Sequence, residues 1–267
     1  CGDTILFASV VSAKEPRENQ PFFPLSVDYQ EKFAAAGRIP GNFFRRETKL
    51  NDYEILISRL VDRPIRPLFP DGYMNETQII ITLLSGEKDT LPDVFAALAA
   101  STALVCSNIN WDGPISSVRV AKINGEFVIN PAKSALVDAE LDIIVAATEK
   151  NLMMVEGEAN ECAEHDMIEA IKIGHEAIKL QCKAQLELAA QLGAKVSVKR
   201  ELTPKAEDPE LKAAMEAALT DSINKVASSS LDKSSRKEAF DKIFKDYKET
   251  LLAEKGEEYM TEKKLFV

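Results

Sequence analysis

The stretch PGNFFRRETKLNDYEILISRLVDRPIRPLFP, Pro40–Pro70, gathers Arg45, Arg46, Arg59, Arg63 and Arg66, half of the ten arginines in a 267-residue chain. That chain carries 43 acidic residues against 33 lysines and arginines, with a formal net charge of −10 and a pI near 5.0. Guanidinium groups concentrated against such a background need a chemical reason. Within the stretch, YEILISRLVD reads as a short amphipathic helix, with Arg59 and Arg63 one turn apart on one side. Pro64 is expected to end it, because proline has no N–H for the ladder and biases Asp62 and Arg63 out of helix. Arg66 then follows in an extended PIRP segment. Arg45 and Arg46 come after two phenylalanines in a segment opened by Pro40-Gly41, which is loop chemistry.

Guanidinium groups bind phosphate oxygens through two parallel hydrogen bonds, a geometry lysine does not offer. Adjacent rings stack on unpaired bases for about 1–3 kcal/mol per base. Phe43, Phe44, Arg45 and Arg46 beside Arg59 and Arg63 therefore suit a clamp on single-stranded RNA. An ordinary surface network suits them too, with Asp62 and Glu54 pairing the arginines and both phenylalanines in the core. Residue types alone leave both readings standing.

Working outward, 45 % hydrophobic residues are a normal globular share. No apolar run is long enough to span a membrane. The opening CGDTILFASVV reads as a strand under way rather than a targeting segment, so the natural protein is expected to begin earlier. Four cysteines with no Cys-x-x-Cys spacing form no disulfide framework, which suits a reducing, cytoplasmic setting. Net negative charge disfavours non-specific nucleic-acid binding by the whole surface. It leaves room for a local basic patch, since screening confines each field to about 10 Å.

TILFASVV, Thr4–Val11, reads as a strand. EPRENQPFFPLSVDYQEKFAAAGRIPGNFF, Glu15–Phe44, reads as a long functional loop. QIIITLLSG is a buried strand, and LPDVFAALAASTALVCSN a helix apolar nearly all round and hence buried. Asn124-Gly125 between alternating runs predicts a hairpin with both turn residues at positive φ. LDIIVAAT and NLMMVEGEA are two further strands. A long helix runs from about Cys162 to Leu192, stopped by Gly193. Beyond it come a charged connector and two amphipathic helices joined by SSSLDKSS. The organisation expected is α+β over 1–194, a mixed sheet with packed helices, followed by a small all-helical domain over 195–267.

Few residues suggest chemistry elsewhere. His165 and His175 lie about three turns apart on one helix and cannot share a ligand site. Cysteine and histidine do not cluster as a zinc site requires, and the glycines form no phosphate loop. Asp89 and Asp93 flank a helix start, where carboxylates favour the positive end of the dipole. Glu156 and Glu158 share a strand face that would suit a metal, but two solvated glutamates are the commoner explanation.

IPGNFFRRE with SRLVDRPIRPLFPDGY resembles the first catalytic-type core of the bacterial polynucleotide phosphorylase family. LPDVFAALAASTAL, NGEFVINP, LDIIVAATEKNLMMVEGEA and DMIEAIKIGHEAI continue the match in family order to about Gly193. The remainder resembles the family's all-helical linker domain by position. The resemblance implies a ribonuclease PH-like core and a complete enzyme that degrades RNA from its 3′ end, with phosphate as co-substrate and nucleoside diphosphates as products. It implies a homotrimeric ring threaded by RNA, magnesium in the complete enzyme, and partners in RNA-degradation complexes, with no membrane association. By resemblance, Phe43, Phe44, Arg45 and Arg46 line the channel. Arg59 and Arg63 face the RNA path, and Arg66 and Arg119 match further family arginines.

The family's phosphate-binding serines and metal-binding aspartates belong to a second core, and its KH and S1 domains lie further on. The corresponding hairpin here reads SSVRVAKINGEFV, with no equivalent acidic cluster. This N-terminal part is therefore expected to hold RNA without cutting it, with no catalytic or metal residue and no cofactor of its own. The family's first hairpin is also expected to be absent from this sequence, which would leave a sheet edge exposed. A naturally non-catalytic RNA-binding or scaffold ring subunit is the alternative.

Overall fold

The computed structural model describes residues 2–17, 20, 22–32, 49–193, 196, 198–201 and 208–262. The chain divides into two compact units, Cys1–Thr203 and Pro204–Val267.

In the first unit, β1 (Ile5–Ser12), β2 (Leu25–Glu31) and β3 (Thr77–Ser85) form a sheet in the order β1–β3–β2. β1 is antiparallel to β3, and β2 is parallel to it with Tyr29 opposite Ile81. Parallel neighbours require a crossover, and α1 (Asp52–Ile65) lies in that connection. β2 corrects the expectation of an uninterrupted loop over Glu15–Phe44. Its alternation is plain in LSVDYQE, where Leu25 and Tyr29 are buried and Ser26 is exposed. Pro24 stands just before the strand, where a missing N–H is tolerated.

α1 opens with a reciprocal capping box. Glu54 N donates to Asn51 Oδ1 and Asn51 N donates to Glu54 Oε2, both at 2.7 Å. Glu54 Oε1 accepts from Glu31 N at 2.9 Å, and Ser58 Oγ accepts from Tyr29 N at 2.9 Å. Side chains of α1 thus satisfy backbone groups of the edge strand β2, and Glu54 is spent in that task rather than in pairing arginines.

The expected stop before Pro64 does not occur. Pro64 lies inside the last turn, and Arg66 N donates to Asp62 O beyond it. Ile57, Val61 and Ile65 are fully buried, and Trp111 Nε1 donates to Ile65 O at 3.1 Å. Packing on successive turns outweighs the local bias of the proline. A 3₁₀ turn, Arg66–Leu68, follows in place of an extended PIRP.

The second sheet holds β4 (Ser116–Ile123), β5 (Glu126–Ile129), β6 (Ala139–Ala147) and β7 (Leu152–Ala159) in the order β5–β4–β6–β7, antiparallel throughout. Asn124 (φ 51°) and Gly125 (φ 81°) form the hairpin turn between β4 and β5. α3 (Glu164–Leu192) packs along β4 and β6 and ends at Gly193, φ 63°.

α2 (Asp93–Val105) touches β1, β3, β4, α1 and α3, so its apolar circumference is used on all sides. Its one interior hydroxyl is satisfied. Ser101 Oγ donates to Gln185 Oε1 at 2.6 Å and accepts from Ile115 N at 3.0 Å, while Gln185 Nε2 donates to Ile115 O at 2.8 Å. This closed network ties α2, α3 and the entry to β4.

In the second unit, α4 (Pro209–Ala227) is capped by Asp208, whose side chain accepts from Leu211 N at 2.9 Å. α5 (Lys233–Glu262) begins under Asp232, which accepts from Ser234 N at 2.9 Å and Ser235 N at 3.2 Å. Its helical dihedrals are interrupted at Gly256, φ 82°. Among the described residues of this unit, Leu211, Leu219 and Leu251 are the buried apolar ones.

Candidate nucleic-acid interface

The arginines of the opening stretch sort by what already holds them. Arg59 and Arg63 are exposed on α1, one turn apart. Arg63 Nη1 reaches the Glu156 carboxylate on β7, with both side chains about half exposed. Arg66 is occupied. It grips Asp62 through Nε (3.1 Å) and Nη2 (2.8 Å), and donates to Leu25 O at 3.0 Å and Phe23 O at 3.3 Å. Its guanidinium also stands 5.8 Å from the centre of the Phe23 ring. Arg66 therefore fastens the end of α1 to the chain entering β2. Phe43, Phe44, Arg45 and Arg46 lie outside the described residues.

Arg119 is held more deeply. Strand register places Ile144 opposite Arg119 and Glu156 opposite Ile144, while Asp142 stands opposite both Ala121 and Glu158. Paired residues share a face and alternate residues along a strand do too. Arg119, Asp142, Ile144, Glu156 and Glu158 thus occupy one face. Arg119 Nη1 donates to both Asp142 oxygens, at 2.8 and 2.6 Å, and Nη2 donates to Asp93 at the start of α2. Burial works against the charge, but Asp93 and then Asp142 outweigh it and hold the guanidinium above its ordinary pKa. Arg119 Nε is buried without an acceptor among the described residues.

Gly157 separates Glu156 from Glu158 for a steric reason. A Cβ there would lie 2.1 Å from Asp142 O. Above this face α1 supplies Tyr53, Leu56, Ile57 and Leu60, and α2 supplies Asp93. Together with Leu91 and the strand residues they line an open cavity of about 300 Å³. Burial, then Asp93 and Glu31, push the Tyr53 phenol well above its ordinary pKa, so it stays neutral.

Two readings of acidic residues need correction. Asp93 is Arg119's partner rather than simply a helix-start carboxylate, and its Oδ1 also accepts from Val94 N at 2.8 Å. Asp89 does not serve α2; it accepts from Ser134 N at 2.8 Å and from Ser134 Oγ at 2.6 Å. Glu156 is paired rather than merely solvated. Sequence reasoning passed over Asp142 and Tyr53. Asp142 had a signal, a lone carboxylate inside the apolar run LDIIVAA. Of the histidines, His175 Nε2 lies 3.0 Å from Thr148 O and His165 is exposed. Among the described residues no three His, Cys, Asp or Glu side chains are arranged to hold a metal ion, and no helix is long and apolar enough to cross a membrane.

Residues 1–110 match the model of the 3′ exoribonuclease family, domain 1, and residues 113–177 match domain 2 of the same family. The change from one to the other falls between α2 and β4, where the first sheet gives way to the second. The chain is 51 % identical over 257 residues to a polyribonucleotide nucleotidyltransferase of Amoebophilus asiaticus. It is 49 % identical over 263 residues to that of Parabacteroides distasonis and 48 % over 258 residues to that of Bacteroides fragilis. These matches cover 96, 98 and 96 % of this chain but 36, 34 and 36 % of the relatives. The chain spans about a third of the length of the curated relatives it matches.

Proposed function

We propose that this chain, which belongs to the 3′ exoribonuclease family, is the RNA-guiding part of a phosphate-dependent 3′-to-5′ exoribonuclease, a polyribonucleotide nucleotidyltransferase. The observation that carries the reading is the pair Arg59 and Arg63, exposed one turn apart on a helix of an acidic chain. In the whole enzyme, inorganic phosphate attacks the phosphorus of the terminal phosphodiester. The bond from phosphorus to the preceding 3′ oxygen breaks, a nucleoside diphosphate leaves, and the shortened RNA keeps a 3′-hydroxyl.

Such a step needs charge neutralised on the transferring phosphoryl group. Magnesium is proposed for the complete enzyme. The described residues of this chain offer no donor set that fits it. What these residues do is hold RNA. Arg59 and Arg63 take phosphate oxygens by two-pronged hydrogen bonds, with Glu156 as the counter-ion that RNA displaces from Arg63. Phe43, Phe44, Arg45 and Arg46 are proposed as a second RNA contact. Arg66 and Arg119 act indirectly, by fixing α1 against β2 and α2 against the second sheet.

Residues 1–194 are proposed as the first ribonuclease PH-like core and 195–267 as the helical linker domain. The complete protein is proposed to be a cytoplasmic homotrimer that works with other RNA-degrading partners. The test is direct. Single-stranded RNA is offered to this chain with phosphate and magnesium, following both binding and nucleoside diphosphate release. Salt-dependent binding without release is expected. Release by this chain alone, or binding unchanged in Arg59→Ala/Arg63→Ala, would overturn the assignment.

A further inference from the structure

The cavity beside Arg119 is unsuited to a phosphate. Four carboxylates line it, those of Asp93, Asp142, Glu156 and Glu158, against the single guanidinium of Arg119. Two of the four are consumed by Arg119, and a third, Glu156, pairs with Arg63 until RNA displaces it. Glu158 is exposed and has no hydrogen-bond or ion-pair partner among the described residues. The lining also includes an aromatic and an aliphatic side chain of α1, Tyr53 and Leu56, which are 38 and 48 % exposed. A site with an aromatic face, aliphatic flanks and an unpaired acceptor at its edge fits a planar heterocycle that carries an exocyclic amine.

Geometry connects it to the arginines. On α1, Tyr53, Leu56, Arg59 and Arg63 fall within one continuous helical face, and Arg63 grips Glu156, which is itself part of the cavity lining. A strand whose phosphates lie on Arg59 and Arg63 therefore has its bases beside Tyr53. We propose that this cavity is a nucleobase subsite. A base stacks on Tyr53, and its exocyclic amine donates to Glu158, favouring amino-bearing bases over uracil. Carboxylates accept from the cytosine 4-amino group, whereas uracil presents a carbonyl at the same position. This rests on the RNA-holding reading above.

The test compares a short oligocytidylate with an oligouridylate, two pyrimidines of one size, by fluorescence anisotropy with the full chain over a salt series. The wild type is expected to favour cytidylate about fivefold. Tyr53→Ala should weaken both about tenfold, which is about 1.4 kcal/mol, and leave the salt slope unchanged. Tyr53→Phe should bind like wild type. Glu158→Gln should abolish the cytidylate preference with uridylate binding retained. By contrast, Arg59→Ala/Arg63→Ala should weaken both oligonucleotides and flatten the salt slope, because it removes phosphate contacts. Full retention of both affinities in Tyr53→Ala, with the arginine variant impaired, would overturn the subsite and leave the RNA reading intact. A cytidylate preference that survives Glu158→Gln would overturn the assigned amine contact. Failure of the wild type to bind either oligonucleotide would sink both readings. Both residues are partly exposed, and circular dichroism would check that each variant is folded.

Discussion

Arg119 and Arg63 both grip carboxylates that line one cavity, yet the Arg119 side chain is 15 % exposed and that of Arg63 52 %. The chemistry is the same and the surroundings reverse its meaning. Arg119 lies between Asp93 and Asp142 away from water, so the three groups depend on one another, and removing one strands the charge of the others. Arg63 and Glu156 remain hydrated, where such a pair contributes little and exchanges readily. A residue that the fold does not need is one that a ligand can take. Clustering along the sequence therefore did not distinguish a hydrated, exchangeable ion pair from a buried structural one; exposure did.

Arg119→Ala should produce the largest effect, a loss of about 3–5 kcal/mol in denaturant unfolding, since two carboxylates are left without their partner. A loss below about 1 kcal/mol would place Arg119 with the surface pairs. Gly157→Ala should come next, at about 1–3 kcal/mol, because the new methyl group meets the backbone of β6 rather than a side chain that can rotate away. An unfolding midpoint equal to wild type would show that the strands separate freely there.

Lys122 and Asp166 join β4 to the start of α3 at 2.9 Å. The hydrogen bond to Lys122 holds the Asp166 carboxyl below its ordinary range, and the same bond raises the Lys122 pKa. A depressed carboxyl contributes stability above its unfolded pKa, which is lost as pH falls through the folded value. A raised amine contributes below its unfolded pKa, and that is lost as pH rises through the folded value. The Tm difference between wild type and Asp166→Asn should thus be greatest near neutrality and shrink in both acid and strong alkali. A difference independent of pH would remove the ion pair from the account.

The smallest effect on stability should come from Arg63→Ala, within about 1 kcal/mol of wild type. Its RNA affinity should nevertheless fall, with the salt slope of log K reduced by about 0.7 for one lost phosphate contact to a single strand. A large stability loss with unchanged RNA affinity would exchange the roles of Arg63 and Arg119.

Much of the architecture was legible locally. The turn at Asn124-Gly125, the all-apolar α2, the long α3 and its stop at Gly193 each rest on chemistry within a few residues. β2 was missed although its alternation was present, because prolines and glycines around LSVDYQE drew the eye to loop chemistry. The Pro64 stop failed for the opposite reason: a local rule was sound, but burial of Ile57, Val61 and Ile65 opposed it. Helix and strand types depend mainly on neighbours in sequence, whereas helix ends depend on what packs against them.

The candidate interface divides in the same way. Sequence by itself determined that arginines gather on and before one short helix and that four-residue spacing aligns Arg59 with Arg63. It also placed Glu156 and Glu158 on one strand face, through the alternation of β7. Only the tertiary structure decided that Arg66 is spent on Asp62 and backbone carbonyls, that Arg119 is locked between Asp93 and Asp142, and that Tyr53 closes a cavity with Glu158. The physical reason is that a guanidinium group's role is set by its acceptors and its hydration. Those acceptors come from residues up to 43 positions away for Arg66, and 26 and 23 away for Arg119, so neither role can be read from adjacent sequence.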